Sequence, residues 1–156
     1  MRISTKGDYA TRALQDLALH YNQGPIPIEK VASRQGLPVR YLEQLLLTLK
    51  RAGLLLSKRG VNGGYSLARP PSQITLGEVL RAVEGPIEAI YCVGEPPRDQ
   101  CAYETACVLR DVWVRVSQAV SAIVDRTTLQ DLCERAKAVG GRPVTSGEPG
   151  HDPAGD

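Results

Sequence analysis

Phenylalanine is absent from this 156-residue chain, and six tyrosines and one tryptophan bring the aromatic share to only 4%. That shortage argues against a single-strand nucleic-acid binder, which needs aromatic faces for bases to stack on. No apolar run approaches the roughly 18 residues of a membrane span, which excludes an integral membrane protein. The opening stretch MRISTKGDYATRAL holds no apolar signal core, so a cytoplasmic protein is expected. There is no GxGxxG, no phosphate-binding lysine loop and no nucleophile–base set, and Gly63-Gly64 is too short for a nucleotide loop. An enzyme is therefore not expected.

What is present is ordinary in amount and uneven in placement. Hydrophobic residues are 42% and charged residues 23%, the balance of a globular domain. A chain of this length hides about 70% of its unfolded surface, enough for one sizeable core. The net charge of +2 conceals an asymmetry. Residues 1–69 carry 11 Lys/Arg against 4 Asp/Glu, and residues 70–156 carry 8 against 13. A basic front half is the footprint of a nucleic-acid binder, but a merely solvated basic surface looks the same, so the fold must decide.

Tyr9, Ala10, Ala13, Leu14, Leu17 and Ala18 recur at helical spacing and predict a helix from Asp8 to Tyr21. A short second helix is expected over Ile28–Gln35. A tight turn at Gly36-Leu37-Pro38 follows, then a third helix over Val39–Ala52 with Leu42, Leu45, Leu46 and Leu49 on one face. Short helix, glycine turn, second helix is the pattern of a helix-turn-helix. Leu54–Leu56 and Tyr65–Ala68 read as strands around a glycine-rich turn, a hairpin in the place of a wing. Thr75 and Glu78 form a capping-box pattern for a helix reaching Val83. A long helix is expected over Cys107–Asp125, with Val112, Val116, Ala119, Val120, Ile123 and Val124 at helical spacing. A last helix, capped by Thr127 or Thr128, reaches Lys137, and Cys133 reads as a core or dimer-face residue. From about 139 onward Gly, Pro, Ser, Asp and Glu dominate, predicting a disordered tail. The fold class is mainly α with a small β-hairpin wing: a winged helix-turn-helix plus a long dimerisation helix. The expected division is 1–85 DNA-binding, 86–107 sensor loop, 107–138 dimerisation helices and 139–156 tail.

Three cysteines, Cys92, Cys101 and Cys107, fall in one segment with the spacing C-x8-C-x5-C. Thiolates are soft ligands suited to iron–sulfur clusters or zinc. The third sits at a helix start, where exposed N–H groups favour an anionic sulfur. A metal centre, a thiol redox switch and cysteines without a cofactor all remain open on this reading.

Several stretches carry a family likeness: Met1–Ala10, Leu37–Leu49 around Tyr41-Leu42-Glu43-Gln44-Leu45, Arg59-Gly60 to Gly63-Gly64-Tyr65, and Thr75–Val79. With the cysteine segment they make the chain resemble, over about residues 1–135, the winged-helix regulators of the Rrf-two type that include IscR, NsrR and CymR. The resemblance implies a homodimeric transcription factor on double-stranded DNA with a pseudo-palindromic operator. The third helix would enter the major groove with Pro38, Val39, Arg40 and Tyr41 foremost and Glu43 and Gln44 behind. Arg40 is the candidate for reading guanine, with a phosphate contact as the alternative. Arg59 would reach the minor groove, Asn62 and Tyr65 the backbone, and Arg2 and Lys6 phosphates near the first helix.

The family's sensors use three cysteines in this region to hold a [2Fe–2S] or [4Fe–4S] cluster, so the same is expected of Cys92, Cys101 and Cys107. The first gap is longer than the family's usual one by about three residues, an insertion a loop accommodates at small entropic expense. Some members place a histidine three residues after the third cysteine, where this chain has Arg110. Asp8 matches the stretch from which one sensor in the family draws a ligand across the dimer, and is the candidate fourth ligand. It reads equally as the cap of the first helix. The alternative is a cluster-free winged-helix regulator controlled by thiol oxidation, a small molecule or a partner metabolic enzyme.

Overall fold

A computed structural model describes residues 3–93 and 107–140. Arg2, Cys101 and the tail beyond Gly140 lie outside the described residues, so the readings made of them are not addressed by it.

Helix α1 (Thr5–Leu19) begins one turn before Asp8. Ser4 is the reason: its Oγ accepts the Gly7 N–H at 3.3 Å and caps the helix before the apolar stripe starts. The cap is therefore Ser4 and not Asp8, which stands in the first turn. Helices α2 (Ile28–Gln35) and α3 (Val39–Arg51) follow. Between them Gly36 adopts φ +62°, and its N–H closes α2 on the Ala32 carbonyl. A side chain is disfavoured in that left-handed conformation, so glycine sets the turn. Ala13, Leu14, Val31, Leu42, Leu46 and Leu49 are sealed from solvent and form the centre of one core. Burying each of the larger ones contributes roughly 1.5–3 kcal/mol.

Asp16 is the one charged residue buried among the described residues, at 2% exposure. Arg34 meets it with two parallel bonds, Nε to Oδ1 at 2.9 Å and Nη2 to Oδ2 at 2.6 Å, and Gln35 Nε2 adds a third at 3.3 Å. This bidentate fork pins the end of α2 to α1. The hydrogen bond to Asp16 also raises the Arg34 pKa above its ordinary value.

Strands β1 (Leu55–Lys58) and β2 (Gly64–Leu67) pair antiparallel, Leu55 against Leu67 and Lys58 against Gly64. Each is shifted by one residue from its expected start. A further pairing was not foreseen: Ile26 and Tyr65 exchange backbone bonds of 2.8 and 2.9 Å, laying the segment before α2 along β2. At that crossing Gly64 takes φ +146° under the Ile26 carbonyl, where no side chain fits.

Helix α4 (Leu76–Glu84) carries the expected capping box of Thr75 and Glu78. A single 3-10 turn at Tyr91–Val93 precedes the undescribed segment. Helix α5 (Val108–Arg126) and helix α6 (Leu129–Ala138) complete the chain, with Thr128 and Asp131 forming a second capping box. Leu129 and Cys133 of α6 enter the core beside α1. The α5–α6 corner is bonded to the start of α4: Leu76 N–H to the Thr127 carbonyl at 2.8 Å, and Leu129 N–H to the Ile74 carbonyl at 2.9 Å.

Candidate nucleic-acid interface and cysteine segment

Helix α3 divides cleanly. Its leucines at 42, 45, 46 and 49 face the core, and Val39, Arg40, Tyr41, Glu43, Gln44 and Leu47 face solvent with Pro38 ahead of them. The candidate groove-reading residues thus share one exposed surface. Tyr41 packs edge-on against Tyr9 of α1, ring centroids 5.7 Å apart. That contact sets the amino end of α1, with exposed Lys6 one turn earlier, beside the start of α3.

The other end of α3 is tied to the wing. Lys50 Nζ donates to Ser57 Oγ of β1 at 2.6 Å. Lys50 thereby joins the carboxyl end of α3 to the first strand of the hairpin. Lys58, Arg59, Val61 and Asn62 are exposed at the wing. The turn is closed by the Gly63 N–H on the Gly60 carbonyl at 2.9 Å, and a Cβ at Gly63 would run into the Lys58 carbonyl. Tyr65 is placed differently from Arg59 and Asn62: it is half-buried and packs against the core. Lys6, Arg40, Lys58 and Arg59 are all exposed, as is the outer face of α3. Such a surface suits a polyanion, with the helix available to a groove.

Three of these ties escape a sequence reading: Asp16–Arg34, Lys50–Ser57 and Ile26–Tyr65. Only the first leaves a signal, an acidic residue inside the apolar stripe of α1. The other two join residues with no pattern between them.

The described part of the cysteine segment holds Cys92 and Cys107, both free and half-buried, the latter at the N-cap of α5. Among the described residues no three His, Cys, Asp or Glu side chains gather at one point. Cys133 stands apart, 4% exposed, its Sγ directed at the Gln15 carbonyl, and burial pushes its thiol pKa up. It is suited to packing and not to metal binding. The two half-buried thiols that remain, one at a helix N-cap, are of the ligand type that a thiolate-held cluster uses. Asp8 Oδ2 pairs with Arg12 Nε at 3.0 Å and stays about half exposed.

The model of the Rrf2 family, described as iron-dependent transcriptional regulator, matches residues 3–135. The HTH-type transcriptional regulator IscR of Aliivibrio salmonicida (strain LFI1238) is 38% identical over 132 residues, 85% of this chain and 77% of that one. Among solved structures the chain is similar to CymR (YrzC), the global cysteine regulator of B. subtilis, with a TM-score of 0.75, 36% identity, and coverage of 86% of this chain and 98% of that one. It is likewise similar to T. potens IscR, with a TM-score of 0.72, 36% identity, and coverage of 90% and 91%. The oxidized form of Staphylococcus aureus CymR gives a TM-score of 0.69 at 35% identity, covering 86% and 97%.

Proposed function

The chain belongs to the Rrf2 family of transcriptional regulators, and from that membership we propose that it works as a cytoplasmic homodimer gripping a pseudo-palindromic operator. Like its relatives it is a DNA-binding regulator and not an enzyme. The observation that carries the proposal is the exposed face of α3, braced at one end by Tyr9 and at the other by Lys50. In this reading Arg40, Glu43 and Gln44 meet base edges, Pro38, Val39 and Tyr41 fit the groove wall, and Arg59 enters the minor groove. Arg2, Lys6, Asn62 and Tyr65 contact the sugar–phosphate backbone. Residues 1–85 are the DNA-binding unit, 86–107 the sensor loop and 107–138 the dimerisation helices. The stripe of α5, with Val112 46% and Ile123 66% exposed, supports the dimer because it needs a second copy to cover it.

Cys92, Cys101 and Cys107 would hold an iron–sulfur cluster, with Asp8 of the partner subunit as the candidate fourth ligand. When bound, such a cluster supplies a centre sensitive to iron–sulfur supply, nitric oxide or redox state. The chain's own part is to fix α5 relative to the 86–93 segment, where the Ala89 N–H donates to Ser117 Oγ at 2.9 Å. Different geometries of that segment would then alter the spacing of the two recognition helices.

Two experiments test this. Selection of bound duplexes from a random pool is expected to enrich a two-fold-related sequence, with Arg40→Ala relaxing one position in each half-site. Recovery of no shared sequence overturns operator recognition. Purification without oxygen is expected to give matched iron and sulfide with visible absorbance, lost in Cys92→Ala. A second reading has the segment act by thiol oxidation with no cluster, for which Cys92 and Cys107 supply free thiols. A colourless anaerobic protein selects it, leaving a small molecule or a partner metabolic enzyme as further signals.

A further inference from the structure

The amino end of α1 is held from an unexpected direction. Glu84, the last residue of α4, directs Oε1 at Ser4 and accepts both its backbone N–H at 3.1 Å and its hydroxyl at 2.9 Å. Ser4 is the residue that caps α1. The carboxylate therefore sits on the cap itself, at the positive end of the helix dipole. Gly7 makes room for it: a Cβ there would overlap Glu84 Oε1. No pattern in the sequence links Gly7 with Glu84, yet any side chain at position 7 would displace that carboxylate from the cap.

Helix ends fray when their first N–H groups lack partners. Here the first turn carries Lys6, exposed and one turn before the Tyr9 ring that packs on Tyr41. We propose that Glu84 is a positioning residue for DNA binding, clamping the first turn of α1 through Ser4 so that Lys6 is presented to a phosphate. Glu84 itself touches no DNA. The proposal rests on the reading above in which Lys6 meets the backbone. Its particular content is that the Lys6 contact exists only while the clamp is closed.

The test is the salt dependence of operator binding, measured by fluorescence anisotropy of the selected duplex with the full-length protein. Loss of one phosphate contact lowers the slope of log K against log salt by about 1. Lys6→Ala is expected to do so, Glu84→Ala to do the same, and the double variant to go no further. Glu84→Gln keeps an oxygen acceptor for both Ser4 bonds and is expected to bind with the wild-type slope. Gly7→Ala pushes the carboxylate off the cap and is expected to match Glu84→Ala, with no added loss when the two are combined. A merely structural role would lower the melting temperature of Glu84→Ala and leave the slope at its wild-type value, and that result overturns the proposal. Additive losses in the Lys6→Ala, Glu84→Ala pair overturn it as well. An unchanged slope in Lys6→Ala removes Lys6 from the contacts and ends both readings, so the two failures are distinguishable.

Discussion

Helices α3 and α5 have the same kind of sequence and opposite surroundings. Both repeat apolar residues at helical spacing. In α3 the stripe is closed within the chain, with Leu42, Leu46 and Leu49 fully buried. In α5 only Val124 is buried, and Val108 (85%), Val112 and Ile123 lie open. The periodicity of an amphipathic helix thus says that a face must be covered but not what covers it. For α3 the answer is α1, α2 and α4. For α5 its carboxyl-terminal end is docked on α4 through Arg81 and Asp125 and its middle touches the 86–93 segment at Ser117, while Val108, Val112 and Ile123 have no cover among the described residues.

Substitutions that separate the two helices have the largest expected effects. Ile123→Asp or Val112→Asp should leave the monomer folded and break association. Operator affinity should then fall 10²–10⁴-fold with the loss of linkage between half-sites, as sedimentation and gel shift will read. Leu46→Ala on α3 should act on the fold instead, at about 2–5 kcal/mol in urea unfolding. If the α5 variants lose as much monomer stability as Leu46→Ala, the contrast between the helices fails.

Smaller effects sharpen the same contrast. Asp16→Asn leaves the Arg34 fork unmatched and should destabilise by about 2 kcal/mol, limited because Arg34 keeps access to water. Arg81→Ala, which removes a half-exposed pair at the docked end of α5, should change unfolding by under about 1 kcal/mol. A pH series completes the set. Arg81 holds the Asp125 carboxyl below its usual value, and hydrogen bonds from the Thr128 N–H and hydroxyl do the same for Asp131. Burial alone would raise Glu78, but Arg69 and Thr75 bring it below the ordinary carboxylate range. These groups bind fewer protons folded than unfolded, so their stabilisation is complete above about pH 5 and is lost as pH falls through the depressed values. The melting temperature should drop across that window, and less steeply in Asp125→Asn.

The elements were legible because their signals are local. The capping box at Thr75–Glu78, the threonine cap of α6, the glycine turn at 36 and the leucine stripe of α3 each lie within a few residues. Boundaries slipped where a cap stood outside the apolar pattern, as at Ser4, or where a strand ran on through polar residues, as at Ser57-Lys58. The exposed face of α3 followed from its buried one. What could not be read were pairings across long separations, Ser4 with Glu84 and Ile26 with Tyr65, since either partner alone is unremarkable in its own stretch of chain.

The Ile26–Tyr65 pairing bears on how the wing would meet a duplex. Both backbone groups of Ile26 are committed to Tyr65, so the two-stranded hairpin is also held at Tyr65 from the side of β2 away from β1. A hairpin held in this way arrives already ordered, and the ordering that remains on docking belongs to side chains such as Arg59. Calorimetry of complex formation should then give a heat-capacity change proportionate to the apolar area covered, without the excess that accompanies coupled folding.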